Sequence, residues 1–461
     1  MINKIGFFYL LNSFFMFLFG GGLILFARIE LLNTGLNIMI PEYFNSIITL
    51  HGFVMIFGVI MSAFFGLSYI IIPYLIFPKK FIFNKISNIS FFLLIIPLII
   101  LCFINFTKLG GISTGWTIYA PLSIQYGLNM DLTIICIIFI AISSILNSIN
   151  ISITILNNIY NNISVYFISQ LISSYLIIIS FPALIGVLIM LLLDRNINTS
   201  FFNPILKGDC IMYQHIFWFF GHPEVYIIIL PSFGIISQLL SVFTKNKIFD
   251  YKNMFYSILS IGFFSLVAWG HHMYVTGMPI WGQIFFMYCT ILISIPTSIK
   301  LFNWLFTILN GFILLETPFL FCIGFILFFL IGGISGLILS IIPLNIYYHG
   351  TYFVIAHFHY ILVASSIFSI FSCWYYWSPL IFKIKYDDLK SKIHFWLSFF
   401  FINLIFFPMH FLGFKGMPRR YIDYPFKYIY YNKFISISTV FFFLIQLFYL
   451  YFILFPFLKK I

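Results

Sequence analysis

Charge is the scarcest property of this sequence. Only 7% of its 461 residues are charged, whereas 62% are hydrophobic. A typical soluble domain is about 25% charged. The composition therefore excludes a soluble enzyme or binding module and predicts a polytopic membrane protein, much of whose surface faces lipid.

Cysteine is also scarce, and its pattern excludes two kinds of site. The six cysteines are scattered and form no CxxC pair, so neither a disulfide framework nor a thiolate metal site is indicated. The net charge of +12 does not indicate nucleic-acid binding, because the basic residues are spread through loops and form no patch.

Long apolar runs make up most of the chain. A transmembrane helix needs about 20 apolar residues, and twelve such runs are centred near residues 16, 60, 98, 142, 181, 226, 262, 295, 330, 366, 401 and 446. Because the connections are short, residues 1–461 are predicted to form a single all-α integral-membrane domain of twelve spans. The N-terminus shows no signal cleavage site and no Arg/Ser-rich transit peptide, so the first span is expected to be retained.

The basic residues predict the orientation of the chain. With twelve spans both termini share one side, and the positive-inside rule places the lysine-rich side inside. The opposite side has fewer basic residues, two of which are the adjacent Arg419 and Arg420. Both termini are therefore predicted inside, with Lys4, Lys79, Lys80, Lys85, Lys245, Lys247, Lys252, Lys383, Lys385, Lys390, Lys392, Lys459 and Lys460.

Six histidines stand out in this apolar chain. An imidazole is costly to bury in hydrocarbon unless it is paired or coordinated, and it is the commonest metal ligand. The predicted topology places all six in the outer half of the bilayer. Histidines buried by chance would not be expected to share one depth. We therefore predict metal or cofactor ligands at His51, His222, His271, His272, His357 and His359.

The spacing of these histidines adds geometry. On an α-helix, residues two apart point about 200° from each other, so His357 and His359 are predicted to face opposite sides of the tenth span. That helix would hold two cofactors back to back. The adjacent His271 and His272 lie too far apart around a regular helix to share a ligand, unless the end of the helix helps.

Three further residues, at the depth of these histidines or further inward, are candidates for proton transfer or for a place beside a metal ligand. Tyr226 follows His222 by four residues and shares its face, whereas Glu224 points away. A carboxylate deep in a span is a proton-relay hypothesis, against the alternative of a carboxyl satisfied locally. Lys300 is predicted in the inner half of the bilayer. It would either take up protons from the inner side or be a lysine that snorkels to the membrane surface.

Several long motifs identify a family. The chain resembles subunit I of the heme–copper oxidases, and most closely the mitochondrial cytochrome c oxidase branch. The shared motifs follow the family's order over nearly the whole chain. They are Thr114–Thr117 (TGWT), Leu193–Asn196 (LDRN), Gln214–Tyr226 (QHIFWFFGHPEVY), Trp269–Met273 (WGHHM), Ala356–Tyr360 (AHFHY) and Gly416–Tyr421 (GMPRRY).

The resemblance implies two heme A groups and one copper ion. It assigns His51 and His359 to low-spin heme a, His357 to high-spin heme a3, and His222, His271 and His272 to the copper. Tyr226 would be cross-linked to His222. The other implied cofactor contacts are Arg419 and Arg420 to heme propionates, Arg28 to the heme a formyl group, Trp116 beside the cofactors, and Glu30 and Gly35 at a peripheral sodium or calcium site.

The same resemblance implies two proton routes. Lys300, Thr297 and Ser237 match a route to Tyr226, while Ser143, Ser144 and Asn150 match positions beneath Glu224.

The chain departs from the family at three positions. Lys79–Lys80 stands where the family has an aspartate at a proton entrance, so that entrance is altered or another subunit supplies the acid. Gly350 replaces the acid after His349, which argues against the family's magnesium site, and Phe44 replaces a usual tyrosine.

The predicted activity is O2 reduction to water coupled to proton pumping, with electrons from cytochrome c entering through a copper-bearing subunit II. Subunit III and accessory subunits are further expected partners, in the mitochondrial inner membrane with the termini in the matrix. A quinol oxidase is the nearest alternative. A nitric-oxide reductase fits less well because Tyr226 and Lys300 are both present, and a twelve-span transporter leaves the six histidines unexplained.

Overall fold

The chain is helical throughout the part that its structure describes. The computed structural model describes residues 4–35, 38–76, 80–107, 111–125, 127–158, 163–383 and 385–454, and in these ranges it has no strand, only an isolated bridge between Thr351 and Pro418. Helices suit a membrane because each satisfies its own backbone hydrogen bonds without water.

Twelve helical segments correspond to the predicted spans, and every predicted centre lies in its own segment. Eleven are long and apolar enough to cross a membrane, and the seventh is shorter. They are α1 (Lys4–Glu30), α2 (Pro41–Leu75), α3 (Asn84–Ile104), α4 (Leu128–Leu156), α5 (Val165–Asn196), α6 (Cys210–Phe243), α7 (Tyr251–Ser265), α8 (Ile280–Leu309), α9 (Thr317–Ser340), α10 (Tyr352–Phe382), α11 (Asp388–Phe414) and α12 (Phe426–Phe452).

The seventh segment differs from the predicted full-length span. The α-helix has only 15 residues, or about 22 Å, against a hydrocarbon thickness of about 30 Å. A turn at residues 266–268 follows, and the chain then winds more tightly as a 3₁₀-helix over Trp269–Met273. The chain leaves the regular helix at the point where it presents His271 and His272.

Two other spans are irregular next to histidines. In α2, eight residues of π-helix, Val54–Met61, begin three residues after His51. In α10, a π-helical stretch begins at His359 itself and runs to Ser365. Such wide turns are rare and occur often at functional sites, because they shift the side chains that follow around the helix.

Consecutive helices pack as neighbours, and two of them form the centre. Helices α1 and α2, α5 and α6, and α9 and α10 make the most extensive pairings. The apolar windows of α2 and α6 are 89% and 72% buried, compared with 33% for α1 and α3. The core of the bundle therefore lies along α2 and α6, which carry His51 and His222.

Small residues bring helices into close contact where the site needs it. At Gly413 in α11, an added Cβ would lie 2.1 Å from the backbone nitrogen of Phe353 in α10. Close approach of this kind is typical of membrane helix pairs. It locks the first turns of α10, and with them His357 and His359, against α11.

We predict that Gly413→Ala destabilises the bundle by about 1–3 kcal/mol, since backbone atoms cannot move aside for the new methyl group. Gly186→Ala is the matched control, because nothing lies within 4 Å of a Cβ at Gly186 in α5. Far-UV circular dichroism during heating measures both variants. Equal melting temperatures for the two variants would contradict the proposed close packing.

Candidate metal centre

Three histidines converge where α6 meets the 3₁₀ turn after α7. The candidate ligand atoms of His222, His271 and His272 all lie within 4.8 Å of one another. The ring centroids of His222 and His271 are 4.5 Å apart, and those of His271 and His272 are 4.1 Å apart. Within the described residues this is the one group of three or more potential metal ligands of the His, Cys, Asp and Glu types.

The ring nitrogens of this group fit a metal ion. Both nitrogens of His222 and Nε2 of His272 are buried and have no hydrogen-bond partner in the described structure. An unsatisfied buried polar group costs about 1–3 kcal/mol, and coordination would remove that cost. Three neutral imidazoles form a donor set that suits copper or zinc.

Neighbouring side chains hold the rings of this cluster in place. Thr290 on α8 contacts His271, with Oγ1 3.1 Å from Nδ1. The ring of Trp218 stacks on His272 at a centroid distance of 3.8 Å, and its indole nitrogen donates to the hydroxyl of Tyr119. Such outer contacts fix the orientation of metal ligands.

Tyr226 lies beside His222 as its spacing predicts. The two ring centroids are 4.8 Å apart in an edge-to-face arrangement. Both residues lie on α6, one turn apart, so the phenol is at the inner edge of the histidine cluster.

His51 and His359 form a second pair, from α2 and α10. Nδ1 of His51 is 2.9 Å from the carbonyl oxygen of Gly20, and Nδ1 of His359 is 2.8 Å from that of Ile355. Those contacts assign the ring proton to Nδ1 and leave Nε2 as the electron-pair donor. The two rings are near neighbours, and His359 stacks on Phe406 of α11 at 4.7 Å.

His357 faces the other way from His359. Its Nδ1 lies 3.0 Å from the carbonyl oxygen of Gly332 and 3.1 Å from Oγ of Ser335, both on α9. A Cβ at Gly336 would be only 2.7 Å from its ring. One histidine of α10 is thus held by α9 and the other lies against α11, and His357 is a near neighbour of His271 in the first cluster.

The two adjacent arginines close the outer side. The backbone nitrogen of Arg419 donates to the carbonyl oxygen of Gly350 at 2.9 Å. Burial, together with the positive charge of Arg420, lowers the pKa of Arg419 to about 10. Neither arginine forms an ion pair with a carboxylate of the described residues. Two largely buried cations in this state fit an anionic ligand such as a propionate.

A glycine makes room for this pair. Gly115 has φ +78°, and a Cβ there would lie 2.7 Å from Cζ of Arg420. The following residue, Trp116, packs edge-to-face against Phe217 at 5.5 Å and lies 3.3 Å from a Cβ built on Gly52, next to His51. The TGWT turn therefore connects the arginine pair to the ligand helix α2.

Arg28 is buried at the outer end of α1 and is held by α12. Its Nη2 donates to the carbonyl oxygen of Asn432 at 2.9 Å, and Nε donates to Oγ of Ser436 at 3.1 Å. No carboxylate of the described chain forms an ion pair with it. It too is a buried cation next to polar groups only.

The peripheral cation residues lie near an acid that the sequence reading missed. Glu30 is fully buried, and its Oε2 accepts from the backbone nitrogens of Ile38 and Met39 at 3.0 and 3.2 Å. The backbone nitrogen of Gly35 donates to Asp423 Oδ1 at 2.9 Å. Asp423 comes from the loop before α12. Because it is far along the chain from Glu30 and Gly35, the sequence did not indicate that it lies beside them.

His349 does not belong to a comparable group of ligands. It follows the short helix Ile342–Tyr348, and no cluster of three metal-ligating residues includes it within the described ranges. Burial lowers the pKa of its ring, and the charge of Arg419 adds to the effect. Gly350 has φ +74° and open space around its Cβ position, so it brings no side chain to a magnesium ion.

On the inner side, Lys300 is fully buried in α8. Its Nζ lies 3.8 Å from the sulfur of Met254, and over the rings of Phe233 and Trp304 at 4.9 and 5.0 Å from their centroids. It does not snorkel to water. Thr297, one turn outward, bonds its hydroxyl to the carbonyl oxygens of its own helix.

Ser237 and Glu224 lie on α6. Trp304 donates to Oγ of Ser237 at 2.9 Å, which ties α6 to α8 below Lys300. Glu224 is 1% exposed, and both of its carboxyl oxygens have no hydrogen-bond partner among the described residues. The alternative of a locally satisfied carboxyl is therefore wrong within this part of the chain.

A polar network that extends the second proton route was missed from the sequence. Asn147 accepts from the hydroxyls of Tyr69 and Ser90 at 2.7 Å, and it also contacts Tyr9. Asn150 extends this network inward, towards the loop that carries Lys80. The contacts join α1, α2, α3 and α4, so no local pattern could predict them. The network also includes Ser87, which accepts from Asn150 at 2.8 Å, and Ser143, which donates to the Ser90 carbonyl oxygen.

The predicted entrance itself is only partly described. Lys80 is exposed at the start of the loop before α3, whereas Lys79 lies outside the described residues.

Two other positions named from the sequence are described. Ser144 donates to the carbonyl oxygen of Ile140 in its own helix. Phe44 is buried in α2.

Another histidine was also missed. His410 on α11 is 7% exposed, and neither ring nitrogen has a partner in the described structure. Its ring stacks on Tyr360 at 5.6 Å. It lies in a predicted span near the outer end, so the same signal that marks the six other histidines was present in the sequence.

The comparisons with known proteins agree with this arrangement. A family model described as cytochrome c and quinol oxidase polypeptide I matches residues 4–444. Cytochrome c oxidase subunit 1 of Yarrowia lipolytica is 40% identical over 443 residues, which cover 94% of this chain and 83% of that protein. Subunit 1 of Eremothecium gossypii is 41% identical over 429 residues, covering 90% and 80%.

A solved structure shares the fold. A heme–copper terminal oxidase dimer determined by cryo-electron microscopy has a chain that superimposes with a TM-score of 0.83 at 17% identity, covering all of this chain and 84% of the other. The bundle thus has the fold of a heme–copper terminal oxidase. This chain belongs to the cytochrome c and quinol oxidase polypeptide I family, and membership implies heme and copper.

We predict that Thr290→Val weakens metal binding at the three-histidine cluster about 10- to 100-fold, because His271 loses the contact that orients its ring. Ser294→Ala is the matched control, since Ser294 lies one turn inward on α8 and its hydroxyl bonds only to Ile291. Titration with a chelator, followed by metal analysis, measures the difference. Equal retention of metal by the two variants would show that Thr290 does not support metal binding.

Proposed function

We propose that this chain is the catalytic subunit of a cytochrome c oxidase, which reduces O2 to water and pumps protons across the membrane. The observation that carries the proposal is the convergence of His222, His271 and His272 within 4.8 Å, next to a histidine on α10 that is held from the opposite side. Family membership and relatives about 40% identical that are cytochrome c oxidase subunits support the same reading. They favour it over the quinol oxidases, which share the family.

Three metal groups would be held by the six histidines. His51 and His359 would bind the iron of a low-spin heme a, His357 that of a high-spin heme a3, and His222, His271 and His272 a copper ion. When bound, the heme and copper groups supply electrons and open coordination positions for O2. Arg419 and Arg420 would be counter-ions for heme propionates, and Arg28 would contact the formyl group of heme a.

An apolar cavity supports heme A in particular, since this heme carries a long isoprenoid tail. Phe14, Val59 and Ile367 are among its lining residues. Val59 and Ile367 each follow their histidine, His51 or His359, by eight residues, which is about 12 Å along a helix. The cavity therefore lies inward of the His51–His359 pair, where a tail from that heme would point.

The chain's own residues would handle protons. Tyr226 places a phenol hydroxyl at the inner edge of the copper ligands, within reach of a proton that arrives through Lys300 and Thr297. Glu224 is a buried carboxyl with no fixed partner in the described chain, so it is free to bind a proton and to pass it on. The network around Asn147 and Asn150 would lead to it from the inside.

Partners and placement follow from the same proposal. Electrons from cytochrome c enter through the copper-bearing subunit II, and subunit III and accessory subunits complete the assembly. The chain lies in the mitochondrial inner membrane with both termini in the matrix. Glu30 and Gly35, together with Asp423, form a peripheral sodium or calcium site, and an acid from another subunit collects protons near Lys80. A magnesium ion beside His349 would need ligands from another chain.

We predict that His357→Ala abolishes carbon monoxide binding but keeps the low-spin heme spectrum, because His51 and His359 remain. Optical difference spectra of the purified complex, with and without carbon monoxide, measure both signals. His394→Gln is the control, since this buried imidazole lies on the inner half of α11, bonded to Tyr375 at 3.0 Å. Equal loss of both heme signals in His357→Ala would contradict the assignment of the two α10 histidines.

We predict that Glu224→Gln slows O2 reduction about 100-fold or stops proton pumping, while both hemes still load, because the amide cannot carry a proton. Glu316→Gln makes the same change at an exposed inner position and should leave turnover intact. Oxygen consumption and proton release by the complex in lipid vesicles are the measurements. Unchanged turnover and pumping in Glu224→Gln would show that Glu224 is no relay.

A further inference from the structure

A polar stripe runs along the inner half of α8. Its members, Lys300, Asn303 and Thr307, are spaced three and four residues apart and so share one face of the helix. They are 0%, 6% and 1% exposed. Burying three polar side chains in line on a membrane helix costs free energy, so polar residues of this kind are typical of functional sites.

One short segment covers the whole stripe. Near its inner end, the backbone nitrogen of Phe249 donates to Oγ1 of Thr307 at 3.0 Å. In the middle, Nδ2 of Asn303 reaches the carbonyl oxygen of Asp250 at 3.5 Å. At its outer end, Lys300 contacts Met254, one turn into α7. The stripe is thus enclosed between α8 and residues 249–254.

The stripe ends outward at a base that lacks an anion. The contacts of Lys300 in the described chain are the sulfur of Met254 and the faces of Phe233 and Trp304. The two rings can stabilise an ammonium ion, but no carboxylate neutralises it. Lys300 is therefore suited to take up a proton and to give it away again.

The stripe ends inward at an acid. Asp250 is exposed, and it is the only carboxylate between Thr244 and Lys252, a segment that also contains Lys245 and Lys247. Its backbone has φ +44°, and its side chain contacts Asn253. The carboxylate is therefore in water at the point where its own backbone touches the buried stripe.

We propose that Asp250 is the group that collects protons for the Lys300 route from the inner aqueous side. The proposal rests on the proposed oxidase function. The carboxylate takes a proton from water, and the proton moves along the face that carries Thr307 and Asn303 to the amine of Lys300. Asp250 is then a carboxylate again and Lys300 an ammonium ion, so the step transfers one proton and changes no other bond.

Asp250 also has a structural role that must be separated from this one. It is the N-cap of α7, because Oδ1 accepts from the backbone nitrogen of Asn253 at 3.2 Å. Asparagine is about as good an N-cap as aspartate. Asp250→Asn therefore keeps the cap and removes the acid, while Asp250→Glu keeps the acid.

The chain offers a matched control on the same side of the membrane. Asp387 is the exposed N-cap of α11, with Oδ1 3.2 Å from the backbone nitrogen of Lys390. It has no contact with the polar stripe in the described structure. Asp387→Asn thus makes the same change of charge and cap without touching the route.

The experiment uses the intact oxidase complex, reduced without oxygen in a stopped-flow spectrometer. Electrons on the buried high-spin heme need a compensating proton, so Asp250→Asn should slow its reduction at least about tenfold. Reduction of the low-spin heme should stay unchanged. Asp250→Glu and Asp387→Asn should both reduce the high-spin heme at close to the wild-type rate.

Two results would overturn the proposal. One is a high-spin heme in Asp250→Asn that is reduced within twofold of the wild-type rate. The other is equal slowing by Asp387→Asn, which would indicate a general effect of inner-surface charge. If the wild-type complex has no high-spin heme at all, the proposed oxidase function fails, and this outcome is distinct from either result.

Discussion

The cost of placing polar groups in a membrane governs this structure. Every imidazole, carboxyl and amine within the spans must find a partner or a use, because lipid offers no water to replace a missing hydrogen bond. Most of them have partners: Nδ1 of His51, His357 and His359 each lies against a backbone carbonyl oxygen. Two that lack one, His222 and Glu224, are groups to which metal binding or proton transfer is assigned, whereas His410 also lacks one and has no assigned role.

The same cost explains why the helices are irregular near the site. A regular α7 would send His271 and His272 to different sides, so the chain leaves the helix and forms a 3₁₀ turn there. The wide turns of α2 and α10 begin close to His51 and His359. Backbone regularity is given up beside these histidines in α2, α7 and α10, and also at the two ends of α12, where a 3₁₀ turn (Phe426–Tyr428) and a π-helical stretch (Leu450–Leu454) lie.

Most of the fold was predictable from the sequence, because length and hydropathy of a span are local properties. All twelve predicted centres lie in helices, and only the shortness of α7 was not foreseen. The opposed directions of His357 and His359 also followed from the helix period. The contacts of Asn147 with Tyr9 and Tyr69, and of Gly35 with Asp423, were beyond reach, since they join residues from separate helices or distant loops. His410 was within reach, yet the sequence reading passed over it.

The sources of the ligands also constrain how the protein can be made. The pair proposed for the low-spin heme takes one histidine from α2 and the other from α10, and α10 is synthesised after most of the chain. The three-histidine cluster needs only α6 and the turn after α7, and is complete much earlier. A chain interrupted between α8 and α10 would therefore hold all three proposed copper ligands, one of the two proposed ligands of the low-spin heme, and not the proposed ligand of the high-spin heme. The sites proposed for copper and for the hemes thus become complete at different moments of biosynthesis.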